Sequence, residues 1–126
     1  DFIKDLQEKN IRVAAISSSR NAKAVLESAG VIDFFKVIID GVYADQHNIR
    51  GKPEPDVFLE AARKLDTPAD QAIVVEDAIS GVQAGQAGGF ALVIGIDRSG
   101  DRDRDLKEHG ADIVVNDLAE IRRKSL

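Results

Sequence analysis

Residues 11–17 read IRVAAIS and residues 21–29 read NAKAVLESA, with Ser18, Ser19 and Arg20 between them. The first stretch is a nearly unbroken apolar run closed by a polar residue, the pattern of a strand buried on both faces in a parallel sheet. In the second, Ala22, Val25, Leu26 and Ala29 recur at helical spacing along one side. Strand, short turn and helix make half of a βαβ unit, and the rest of the chain extends the pattern.

Toward the start, residues 1–9 read as a helix with Phe2, Ile3 and Leu6 on one face. Because the chain opens on Asp1 inside that helix, it is expected to be cut from a longer protein. Toward the end, Val37–Asp40 reads as a second strand, and the polar stretch Gly41–Lys52, lacking a helical or alternating period, reads as a loop. Pro53 and Pro55 suit a helix start, and Val57, Phe58, Ala61, Ala62 and Leu65 then line one helical face. Ala72–Val75 is a buried strand that ends in Glu76 and Asp77, and the helix opened by Ile79 stops at Gly88 and Gly89. A strand at Ala91–Ile96, a polar helix at Asp101–His109, a strand at Ile113–Val115 and a helix at Leu118–Arg123 complete the chain. Strands alternating with helices predict an α/β fold with a parallel sheet and right-handed crossovers. Ligands of such sheets bind beyond the carboxyl ends of the strands.

The 126 residues allow one modest domain, and 44% apolar with 31% charged residues is the balance of a globular protein. A net charge of -5 without a basic stripe argues against nucleic acid as a partner. No apolar run approaches the roughly 20 residues of a bilayer span. Disulfides and thiolate metal sites are excluded by the absence of cysteine, and the cytoplasm is the expected compartment.

Three polar clusters fall after strands or in the loop between them: residues 17–21, Lys52, and Glu76 with Asp77. Ser17 leaves a strand, so its hydroxyl and the free N–H groups of the next turn can seat an anionic oxygen. It can equally be the cap of the following helix. Lys52, between Gly51 and Pro53, can reach a phosphoryl group that is gaining charge, although an isolated lysine is more often a solvated surface cation. Adjacent carboxylates at the end of a buried strand repel unless a cation or hydrogen bonds stabilise them, and such hard oxygen ligands suit magnesium. The plainer alternative is that one acid caps the next helix and the other is solvated. Together the clusters supply much of what phosphoryl transfer needs, except a nucleophile.

With these residues the chain resembles the haloacid dehalogenase superfamily, in its β-phosphoglucomutase-like branch. AISSSRN (15–21) is similar to the second motif of that family, GKPEPDVF (51–58) to its third, and VVEDAISGVQAGQAGG (74–89) to its fourth. The resemblance implies a Rossmann-like parallel core sheet flanked by helices and a magnesium-dependent reaction through an aspartyl-phosphate. It further implies that Ser17 binds the transferring phosphoryl group, Lys52 neutralises it, and Glu76 with Asp77 help hold Mg2+. Ser18, Ser19, Arg20 and Asn21 would face the substrate, and Arg20 with Asn21 point toward a sugar phosphate. Dehalogenation is disfavoured, because the dehalogenase members lack this acidic pair.

The family's first motif, a DxDG segment carrying the nucleophile and the general acid-base aspartate, has no counterpart in residues 1–126, nor has the cap domain that selects the substrate. The chain is therefore expected to be a partial core domain lacking the first, central strand, with a gap in the sheet and no activity alone. The missing N-terminal segment of the same protein would be its natural partner. The alternative is a non-catalytic module of a larger fused protein.

Overall fold

The computed structural model describes residues 2–120. Among these residues five strands and six α-helices follow one another, alternating except for the consecutive α3 and α4: α1 (Phe2–Glu8), β1 (Ala14–Ile16), α2 (Ala22–Ser28), β2 (Val37–Ile39), α3 (Gly41–Gln46), α4 (Asp56–Lys64), β3 (Ile73–Glu76), α5 (Ile79–Ala87), β4 (Leu92–Ile96), α6 (Asp103–Glu108) and β5 (Ile113–Val115). All strand pairs are parallel, which gives the α/β class expected from the alternation. The closing helix expected at 118–123 lies mostly outside the described residues. Among those residues no helix is long and apolar enough to cross a membrane.

The strands form two separate sheets, β1-β2 and β3-β4-β5. α4 joins them: Val57, Phe58 and Ala61 bury one helical stripe against Val37 and Ile39 of β2 and against Val74 of β3. On the same face of the three-stranded sheet, where Val74 and Val93 are register partners, Val82 of α5, Val93 of β4 and Leu106 of α6 share a second buried cluster. β4 is covered on both faces, since Ile94 and Ile96 pack with Val115 in a third cluster.

β3 departs from the buried strand expected at Ala72–Val75. Val74 is buried, but Ile73 and Val75 are 59% and 41% exposed. Alternate residues of a strand point to opposite faces, and these two line a cleft of about 1190 Å³. The same cleft is bordered by Ala14 and Ile16 of β1, with Ile3 and Leu6 of α1 also on its wall. A gap therefore lies between β1 and β3, where the sequence reading anticipates a break in the sheet.

The second departure is α3, which occupies part of the stretch expected to be a loop. Asp40, 5% exposed, sits at its N-cap and accepts from the Tyr43 N–H at 2.8 Å. A capped single turn and a half needs no apolar stripe of its own, so periodicity could not find it.

Candidate active site

Lys52 lies shortly before α4, and its ammonium is ion-paired with the Glu76 carboxylate at the end of β3. The two side chains are 23% and 11% exposed, so Lys52 is not a solvated surface cation. Its Nζ also stands 5.2 Å from the centre of the Phe58 ring, a cation–π contact that helps fix the stem. The first turn of α5 passes so close to Glu76 that a Cβ on Gly81 would overlap the glutamate side chain. Glycine at 81 is thus what allows the carboxylate to lie between helix and lysine.

Asp77 is exposed. Among the described residues it is tied down through its main chain: its N–H donates to Glu76 Oε2, and its carbonyl oxygen accepts from Arg102 Nη1, both at 3.3 Å. Ala78 precedes α5, and no side chain caps that helix. Neither acid is therefore a helix cap.

On the other side of the cleft, the Ser17 N–H donates to the Ile39 carbonyl at 2.9 Å. Ser17 Oγ accepts from the Ser19 N–H at 3.1 Å, and Ser19 Oγ accepts from the Asn21 N–H at 3.0 Å. These two consecutive turns delay α2 to Ala22, so Ser17 is not its cap. The loop rests on α3: the Gly41 N–H donates to the Ser19 carbonyl at 3.1 Å, and a Cβ at Gly41 would overlap the Ser18 carbonyl oxygen. The Arg20 guanidinium is ion-paired with Asp45 of α3.

Two candidate clusters result. Lys52, Glu76 and Asp77 form one, and Ser17 to Asn21 on α3 form the other. Ile16 and Glu76 both line the cleft, so the carboxyl ends of β1 and β3 border the same opening. Among the described residues no hydrogen bond joins Ser17 to Lys52, Glu76 or Asp77.

Among those residues, too, no group of three or more His, Cys, Asp or Glu side chains is placed to hold a metal ion. The Asp77 carboxylate, exposed at a strand end, has the hard-oxygen chemistry that magnesium prefers. Glu76 is engaged by Lys52, which suits it to a supporting place beside such an ion. Asp77, with Glu76 beside it, would be the chain's contribution to such an ion's ligands.

A family model described as haloacid dehalogenase-like hydrolase matches residues 1–89. The chain belongs to this family. A β-phosphoglucomutase of Mycobacterium bovis is 45% identical over 122 residues, covering 95% of this chain and 47% of the relative. The trehalose-phosphate phosphatase of Mycobacterium leprae is 33% identical over 124 residues, 95% of this chain and 27% of that protein. A solved haloacid dehalogenase-family phosphatase from Thermococcus onnurineus superposes with a TM-score of 0.84 at 25% identity, over 97% of this chain and 54% of that one. The chain thus spans about half the length, or less, of these relatives.

Several residues that shape this haloacid dehalogenase-like site escape a reading by motif. Gly81 and Gly41 matter for close approach, and Asp45 matters as the partner of Arg20. Asp97, 2% exposed at the end of β4, accepts from the Arg102 N–H at 2.7 Å, the Gly100 N–H at 3.0 Å and the Ser99 hydroxyl at 2.9 Å. Burial alone would raise its carboxyl pKa, but these hydrogen bonds more than offset that and hold it below the ordinary carboxylate value. The signal was present in the sequence as Asp-Arg-Ser-Gly (97–100) after a strand, a turn pattern.

Proposed function

We propose that the chain supplies the phosphate-binding, charge-neutralising and metal-binding part of a magnesium-dependent phosphatase or sugar-phosphate mutase of the β-phosphoglucomutase type. The observation that carries this reading is the Lys52–Glu76 ion pair, with Glu76 on the wall of the cleft between β1 and β3 and the exposed Asp77 following it at the strand end. The relatives named β-phosphoglucomutase and trehalose-phosphate phosphatase support a phosphorylated sugar as substrate.

In this reading Lys52 donates to the transferring phosphoryl group and offsets its charge, with Glu76 fixing where the ammonium stands. The Ser17 hydroxyl donates to a second phosphoryl oxygen, since its lone pair already accepts from the Ser19 N–H and its proton remains available. Ser18, Ser19, Arg20 and Asn21 face the rest of the substrate. Asp77, supported by Glu76, would hold magnesium, which when bound neutralises charge on the phosphoryl oxygens. The aspartate that attacks phosphorus, and the second that protonates the departing ester oxygen, come from the first motif in the remainder of the protein. That segment would also lay its strand into the gap between β1 and β3. The chain by itself is inactive, and a cytoplasmic setting suits a cysteine-free enzyme.

The test is to assay the full-length protein against a panel of sugar phosphates with magnesium and again after chelation. Release of phosphate, or its migration between positions of the sugar, that stops on chelation supports the reading. No metal-dependent turnover of any member would favour a non-catalytic module instead.

A further inference from the structure

Buried carboxylates need a reason, and the described reaction gives none to Asp97. The residue stands at the carboxyl end of β4, two positions beyond Gly95, the register partner of Glu76 in β3. Both of its oxygens are used: Oδ1 accepts from the Ser99 hydroxyl and the Gly100 N–H, and Oδ2 accepts from the Arg102 N–H. A low-dielectric site with every acceptor engaged holds one loop geometry strongly. From that loop the Arg102 guanidinium reaches across to the main-chain oxygen of Asp77.

We propose that Asp97 and Arg102 are positioning residues for Asp77: the buried acid winds residues 97–102 into a fixed loop, and Arg102 holds from it the turn that carries the metal-ligating carboxylate. The inference rests on the reading of Asp77 as a magnesium ligand. Among the described residues, Asp77 is otherwise anchored only on its N–H side, by Glu76. Arg102 supplies the opposing anchor on the carbonyl side, and two anchors fix the direction in which the side chain leaves the turn. Partners just outside a metal's own ligands commonly govern affinity in this way. Because the guanidinium bond is exposed, its loss should cost little in folding, and its effect should appear in metal binding.

The test uses the full-length protein and Mn2+ titrations followed by electron paramagnetic resonance, with Mg2+ competition, at temperatures well below every variant's melting point. Arg102→Ala should weaken binding by about tenfold, and Arg102→Lys, which keeps charge and one donor, should recover part of it. Asp97→Asn should weaken binding in the same direction, and the double variant should lose no more than the worse single one, since both act through one bond. Unchanged or tighter binding by Arg102→Ala, or fully additive losses, would overturn the proposal. Asp77→Asn separates the two ideas. If it abolishes binding while Arg102→Ala does not weaken it, only the positioning role fails. If it binds as the parent does, the ligand role of Asp77 fails and the positioning role falls with it.

Discussion

Lys52 has three N–H donors, and its ion pair with Glu76 occupies one side of the ammonium while leaving others to face a ligand. In the full-length protein Lys52→Ala should therefore lower kcat by about two orders of magnitude or more, measured by steady-state kinetics. A change within a few-fold would leave Lys52 a structural role only. Gly81→Ala tests the same pair from behind, because the added methyl must displace Glu76 or shift α5. Overpacking of this kind costs about 1–3 kcal/mol, to be read by urea denaturation together with a fall in turnover. A variant with the parent's stability and kcat would show that the close approach is incidental. The residue types at this site were legible in the sequence, since a lysine between Gly and Pro and two acids closing an apolar run are unusual neighbours. Their pairing was not, because Lys52 and Glu76 are 24 positions apart and periodicity says nothing about which side chains meet. For the same reason the roles of Gly41, Asp45 and Arg102 became visible only with the loops in place.

Between strands and helices, the placement of α3 under the Ser17–Asn21 loop depends on the Asp40 cap. Asp40→Ala should lower stability by about 1–2 kcal/mol in chemical denaturation, whereas Asp40→Asn keeps an acceptor and should cost much less. Equal losses in the two variants would point to the charge rather than the cap. α3 is also tied to α4, through the Tyr43 hydroxyl donating to Glu60 Oε2 at 2.5 Å. The Arg63 guanidinium first, and then this hydroxyl, hold the Glu60 carboxyl down from 4.5 to about 2. A depressed carboxyl stabilises the fold fully above its ordinary value, and that contribution is lost as pH falls from 4.5 through about 2. Solvent screening at exposed Arg63 limits it to about 1 kcal/mol. Denaturation at pH 7, 4 and 3 should show this loss in the parent and not in Glu60→Gln. The long amphipathic stripe of α4 and the apolar run of β4 were legible because burial imposes a period or a run. α3 was not, since GVYADQ is held by a cap and by side-chain bonds that leave no such pattern.

The alternation of strands and helices revealed the α/β class, but neither the division into two sheets nor the bridge made by α4 could be read from it. That division leaves the facing edges of β1 and β3 unpaired with one another, above a cleft whose walls include Ile3, Ile16, Ile73 and Val75. Unpaired edges with apolar walls invite association. The isolated chain should therefore self-associate at micromolar concentration in analytical ultracentrifugation and melt with low cooperativity. A monomer with a sharp transition would mean that the cleft needs no partner. The proposed function gives this chain the phosphate- and metal-binding part of a phosphotransfer site and assigns the attacking carboxylate to the family's first motif. The decisive measurement is hydrolysis of para-nitrophenyl phosphate with magnesium, by the chain alone and then by the chain mixed with a polypeptide that carries the family's first motif. No turnover by the chain alone, with activity appearing in the mixture and lost again in Lys52→Ala, is the predicted result. Turnover by the chain alone would contradict the account, because it would require an attacking carboxylate within this chain.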